Sequence, residues 1–314
     1  MKNYYTVIFL LFTLSFFGQD KNDKKIYLDS LNEETNEMNY LYYRIIKDYE
    51  LDKKIYAIED YYNSNVLKMK GTCLDREGYV KDGEFNFYYE NGKLRLKNIF
   101  SNNNVVGLYT QWYENGNVMT EGKHFKHKES KDNTSIINHW DENNIQTVIS
   151  GNGNYKLKTK NFEISGLLKE GRREDKWLGF DYAKKISFEE FYNNGDLIKG
   201  TSTDSNGKFF PYTEVFVSTL PQKGMQHLKD YIAKNAQISN LNVDVNDKVI
   251  LQLTINKNGK LKEIKVAKSL GYDIDEVAIE VIKNYKENWI PAKNRGVVAE
   301  GKASLPIVFN LLKK

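Results

Sequence analysis

A chain of 314 residues with 46 Lys and Arg against 42 Asp and Glu carries a formal charge of +4, spread without a basic block, which argues against nucleic acid as a partner. The single cysteine, Cys73, rules out an internal disulfide and a thiolate metal site. With 22 Tyr, 16 Phe and only 4 Pro, the composition favours half-buried aromatic strands, and the length favours two domains and a tether.

The N-terminus, MKNYYTVIFLLFTLSFFGQD, places Lys2 before an apolar run from Val7 to Phe17 and the small Gly18. That is the layout of a secretory signal peptide over residues 1–19, and the run is shorter than the roughly 20 residues a spanning helix needs. The expectation is export, so that the mature protein works outside the cytoplasm. Membrane association then comes through partners, or through this segment if it is retained. Residues 20–55 form a lead-in.

FYYENGKLRLKN from Phe87 and QWYENGNVMTEG from Gln111 repeat one pattern of aromatics, a turn dipeptide and an apolar residue. The series runs Ser64-Asn65, Asn91-Gly92, Asn115-Gly116, Asn143-Asn144 and Asn194-Gly195. Its intervals are 27, 24, 28 and 51 residues, the last close to two periods, with a degenerate copy from Asn161 to Phe180 in the gap. Asn-Gly predicts a type I′ turn, with both central residues at positive φ, between two antiparallel strands. A lone hairpin is marginal in water, so neighbours supply the core by stacking. Residues 56–212 therefore read as an antiparallel hairpin-repeat sheet whose aromatics mostly pack against each other and whose exposed face is open to a partner. This part resembles the MORN-repeat family in its tandem Y-x-x-N-G-x-L variant, at Tyr88, Tyr89, Asn91, Gly92 and Leu94, then Gly107, Trp112, Tyr113, Asn115, Gly116 and Val118. The resemblance implies a scaffold or interaction ribbon.

Composition changes after Pro211, and residues 213–314 read as a second domain. In KGMQHLKDYIAKN, Met225, Leu228, Tyr231 and Ile232 share one side at helical spacing. Val249, Leu251, Leu253 and Ile255 alternate, Asn258-Gly259 marks a hairpin, and Leu261, Ile264 and Val266 follow with a phase shift that predicts either a bulge or a late strand start. In DIDEVAIEVIKNYKENW, Asp273 and Glu276 have capping-box spacing, and Ile274, Val277, Ala278, Val281, Ile282 and Tyr285 form an apolar stripe. Trp289 and Pro291 are expected to end this helix before a last strand. The predicted order is helix, strand, strand, helix, strand, giving a mainly β chain with a small α+β domain at its end.

This region resembles the C-terminal domain of the TonB family at Asn258, Gly259, Asp275, Glu276, Ala278, Trp289, Pro291, Pro306 and Phe309. The whole arrangement is similar to energy-transducer TonB family members of Bacteroidetes-type bacteria, which implies the periplasm or cell envelope of a Gram-negative bacterium as its location. The resemblance implies a binding activity without catalytic residues. A protein partner, such as a segment of an outer-membrane transporter, would add as a strand to a sheet edge and link the protein to transmembrane transport. That edge falls on the last strand, about 297–310, with pairing through Val298, Ala299, Glu300, Gly301, Lys302, Ala303 and Ser304. The alternative is a scaffold in which the repeats recognise the partner and the C-terminal module only dimerises or caps them.

No cofactor or metal site is expected. His124 and His127 have H-x-x-H spacing but lack further ligands in a lysine-rich, loop-like stretch with Glu121 and Glu129, so both read as solvated. GNGNY (151–155) precedes no helix and reads as a turn. Nothing forms a nucleophile elbow, and no enzyme is expected.

Overall fold

The computed structural model describes residues 22–30, 32–125, 134–238 and 248–311. The expected signal peptide at 1–19, His127 and Glu129 lie outside the described residues. The described residues divide into two compact units, one through Gly151 and one from Asn152. Among them, no helix is long and apolar enough to cross a membrane.

The first unit is an antiparallel meander: β1 (Lys24–Leu28), β2 (Glu34–Thr35), β3 (Tyr42–Ile46), β4 (Tyr56–Tyr62), β5 (Leu67–Cys73), β6 (Gly83–Tyr88), β7 (Leu94–Ser101), β8 (Asn104–Trp112), β9 (Val118–His124), β10 (Thr134–Trp140) and β11 (Gln146–Ile149). β1 pairs with β2 and β3, and from β3 to β11 each strand pairs with the next. The period of two sends Tyr56, Ile58 and Asp60 of β4 inward, where the first two join Ile46, Met69, Cys73 and Phe85. The carboxylate of Asp60 is buried with them because Arg44 donates to it twice, at 2.7 and 3.0 Å.

The turns depart from expectation. Of the five dipeptides in the series, only Asn194-Gly195 has both residues at positive φ, 50° and 87°, between paired Asn193 and Asp196. At Asn91-Gly92 and Asn115-Gly116 the glycine alone is left-handed, at φ 81° and 97°. There the N–H of Tyr89 donates to Lys93 O at 2.9 Å, and that of Gly92 to Tyr89 O at 3.0 Å. The loop thus holds three residues, a type I turn closed by a left-handed residue and a bulge, rather than the two of a type I′ turn. Asn65 and Asn144, both at φ 64°, take the glycine's place in their copies, a conformation asparagine tolerates.

The residue that closes each of these turns also reaches the next one. Tyr62 Oη donates to Tyr88 O at 2.8 Å, Tyr89 Oη to Trp112 O at 2.7 Å, and Tyr113 Oη to Trp140 O at 2.9 Å. In the fourth copy this position is Asp141, whose carboxylate instead accepts the N–H groups of Asn143 and Ile145 in its own turn. These tyrosines therefore do more than pack: each ties one hairpin to its successor.

The second unit opens with β12 (Asn152–Lys158), β13 (Phe162–Lys169), β14 (Arg172–Asp181), β15 (Ile186–Asn193), β16 (Asp196–Thr203) and β17 (Phe209–Tyr212), paired in sequence. The stretch read as a GNGNY turn is mostly the start of β12; only Ser150 and Gly151 turn, at φ 49° and 82°. One face buries Tyr155, Ile164, Leu168, Trp177, Phe188 and Tyr192.

The rest comprises β18 (Phe216–Val217), β19 (Leu220–Pro221), α1 (Gly224–Asn235), β20 (Gln237–Ile238), β21 (Val249–Ile255), β22 (Leu261–Lys268), α2 (Tyr272–Lys283), β23 (Trp289–Ile290), β24 (Ala292–Asn294), β25 (Val297–Ala299), β26 (Gly301–Ile307) and β27 (Asn310–Leu311). The expected order is present as α1, β21, β22, α2 and β26. β21 is central between β22 and β26, and its Val249, Leu251, Leu253 and Ile255 are fully buried beneath Leu228 and Ile232 of α1 and Ala278 and Ile282 of α2. The bulge expected in the second strand lies between Leu261 and Glu263.

Two details of α2 differ from the sequence reading. No capping box forms at Asp273 and Glu276; the helix starts after Gly271, and Asp275 reaches back to accept the Leu270 N–H at 3.1 Å and the Ser269 hydroxyl. The helix ends at Lys283, well before Trp289, because Trp289 is held in β23.

Candidate functional site

β26 is an outer strand. It pairs with β21 without a slip from Ile255↔Gly301 to Val249↔Ile307. Gly301, Leu305 and Ile307 are buried, while Lys302, Ser304 and Pro306 are exposed. Proline has no N–H, so an uninterrupted ladder through Pro306 requires its nitrogen to face away from β21. By the strand's period of two, the backbone groups of Lys302 and Ser304 face the same open side. Beside that side lies a groove of about 380 Å³ between α1 and the strand, lined by Met225, Lys229, Ile232, Ala233, Leu305, Pro306 and Val308.

The single edge expected from Val298 to Ser304 is two strands. Arg295 and Gly296 turn at φ 48° and 76° and fold β25 back on β24, pairing Val298 with Lys293 and Ala299 with Ala292. Glu300 separates β25 from β26, its carboxylate 2.8 Å from Lys262 Nζ. Of the residues expected from Val298 to Ser304, only Gly301, Lys302, Ala303 and Ser304 belong to the strand that pairs with β21.

The family-pattern residues meet elsewhere, in the support of this sheet. The N–H of Trp289 donates to Gly259 O at 2.9 Å, and a Cβ at Gly259 would lie 2.1 Å from Trp289 O. Gly259 is left-handed at φ 73°, and Asn256 Oδ1 accepts the Asn258 N–H at 2.9 Å. Lys260 Nζ donates to Asn288 Oδ1 at 2.6 Å, so the β21–β22 turn is fastened to the segment entering β23. Phe309 packs on the same core as Trp289, while Glu276 lies with Asp273 and Glu280 on a groove along α2 that Tyr231 and Val277 also line. Pro291, half-buried, separates β23 from β24.

His124 is not solvated as expected. His124 stacks on Tyr109 at 4.5 Å, bonds Thr134 Oγ1 at 3.1 Å, and has its pKa lowered by burial. His139 is 1% exposed and bonds Thr120 Oγ1 at 2.9 Å. Among the described residues no group of three or more His, Cys, Asp or Glu side chains is arranged to hold a metal.

A cluster unmarked in the sequence centres on Glu190, whose side chain is fully buried. Oε1 accepts from Arg295 Nε and Tyr212 Oη, each at 2.8 Å, and Oε2 accepts from Tyr192 Oη at 2.9 Å. Arg173 Nη1 stands 3.7 Å from Oε2. The period of two on β15 puts Glu190 on the face of Phe188 and Tyr192, which is the signal that could have found it.

The family model described as Gram-negative bacterial TonB protein C-terminal matches residues 243–311. The MORN repeat variant model matches residues 81–102 and 105–127, the hairpins β6–β7 and β8–β9. No curated protein matches the chain. The chain carries a TonB C-terminal domain behind MORN-variant hairpin repeats.

Proposed function

We propose that the protein is an exported envelope protein that captures an extended segment of a protein partner as an added strand on β26. The observation that carries this is the open side of β26, where Lys302 and Ser304 offer backbone donors and acceptors beside an apolar groove. The domain's family supports an outer-membrane transporter as the source of that segment. Pro306 narrows the pairing to the N-terminal half of the strand. The test is a pull-down of the full-length protein by immobilised peptides copying the periplasm-facing N-terminal segments of outer-membrane transporters. Ser304→Pro removes one donor from the open side and reduces capture by about tenfold, the equivalent of one net hydrogen bond. Absence of capture of the wild-type protein, where a known transducer domain is captured, defeats the reading.

A second reading rests on the solvent face of β12–β17. A cavity of about 700 Å³ there is lined by Phe180 and Phe209 among Glu163, Glu189, Thr201 and Thr203. In this reading the repeats recognise the partner, and Ser304→Pro leaves binding intact.

A further inference from the structure

The tip of the β24–β25 hairpin is seated in the sheet β12–β17 by contacts to both its backbone and its side chain. Ser202 Oγ donates to Arg295 O at 2.8 Å, and the Arg295 N–H donates to Val215 O at 2.7 Å. The guanidinium lies 3.9 Å over the Phe188 ring while its Nε reaches Glu190. Next to it, a Cβ on Gly296 would come within 2.9 Å of Phe210 O, so only glycine lets the hairpin approach this closely. A fully buried carboxylate is tolerated only with a paired cation and satisfied lone pairs. Here the nearer cation comes from 105 residues along the chain, out of the C-terminal domain. The other, Arg173, is more distant at 3.7 Å.

We infer that Arg295 is a latch: it fastens the C-terminal domain to the last repeat hairpins through Glu190 and so fixes the direction in which β26 presents its open edge. Only Glu300 stands between β25 and β26, so the seated hairpin and the edge strand move together. A domain of this kind on a loose tether would sample many orientations; this one is held in a single orientation by a buried, directional ion pair. The consequence for capture rests on the strand-addition reading, whereas the latch itself does not.

Two measurements on the full-length protein test the latch without any partner. In hydrogen–deuterium exchange followed by mass spectrometry, Arg295→Ala speeds exchange in 197–217 and 292–299 by about a hundredfold, the loss expected when a buried carboxylate loses its near cation. Exchange in β21 stays slow, which separates release of the latch from unfolding of the domain. Arg295→Ala and Glu190→Gln together cost less than the sum of the two, because the second change removes the stranded charge. Arg295→Lys, which keeps charge but loses the guanidinium fork, gives an intermediate rate and serves if the alanine variant does not fold. Spin labels on Ser187→Cys and Lys286→Cys, both at exposed positions, give a narrow distance distribution that Arg295→Ala broadens. Unchanged exchange in 197–217 and 292–299, strictly additive effects, or an equally narrow distribution in the alanine variant would each overturn the proposal. Failure of peptide capture alone would leave it standing.

Discussion

Alanine at Gly259 and, separately, at Gly92 gives two perturbations of the same Asn-Gly dipeptide whose costs differ for a reason visible in the fold. Both glycines are left-handed, at φ 73° and 81°, so each replacement costs about 1–2 kcal/mol of backbone strain. At Gly92 a new Cβ meets nothing within 4 Å, and the cost ends there. At Gly259 the Cβ would stand 2.1 Å from the Trp289 carbonyl oxygen, and no flexible side chain can yield in its place. The turn must shift, losing the 2.9 Å bond from Trp289 N–H to Gly259 O, worth about 0.5–1.5 kcal/mol net, and loosening the buried Trp289 beneath it. The sum is about 3 kcal/mol or more. Native-state hydrogen exchange reads each site in its own domain: amides of β21 should exchange roughly a hundredfold faster or more in Gly259→Ala, against about five- to thirtyfold for β6–β7 in Gly92→Ala. Equal effects at the two sites, or a change in β21 under about fivefold, would refute the assignment of Gly259 to a steric contact with Trp289.

Tyr89→Phe removes the Oη donor to Trp112 O and should cost about 1 kcal/mol in urea unfolding; an unchanged midpoint would show that the hydroxyl ladder has no energetic role. Cys73 is fully buried with its thiol pushed up to about 11 by burial, so iodoacetamide at pH 8 should label it only as the first unit unfolds. Labelling of the native protein at the rate of a free thiol would contradict that placement. Burial raises Tyr192 to about 12 from 10.0 and raises Tyr212 further. Their protonated forms thus contribute stability that is complete below pH 10 and lost as pH rises through about 12. Circular dichroism across that window should show a steep loss, flattened in Tyr192→Phe with Tyr212→Phe; an equally steep loss in the double variant would remove these two groups as the cause.

Local regularities made most of the architecture legible in the sequence. Val249, Leu251, Leu253 and Ile255 alternate because β21 buries one face under two helices and is paired on both edges, so nothing competes with the period. The phase shift after Leu261 marked a real bulge. Where the chain leaves a simple period, the reading failed for identifiable reasons. Asn91-Gly92 has the composition of a type I′ turn, but the number of residues between paired positions decides the turn type, and composition does not supply that number. The split of the last segment at Glu300 depends on Arg295 and Gly296 folding β25 onto β24, and the residues they rest on, Ser202 and Phe210, are far away in sequence. Glu190 stood on a visible inward face, between Phe188 and Tyr192, yet its role needs an arginine from the other end of the unit. The acceptors of Tyr62, Tyr89 and Tyr113 are backbone carbonyls, which carry no sequence signature at all.

The hydroxyl ladder also bears on how such an array can lengthen. A hairpin copied between the Asn91 and Asn115 turns would find a tyrosine before it ready to donate and a carbonyl after it ready to accept, so the duplication would be bonded from its first appearance. One copied after Asp141 would meet a carboxylate already occupied with the amides of its own turn. The ladder of hydroxyl bonds is thus open to insertion inside the series and ends at Asp141, although the hairpins themselves continue beyond it.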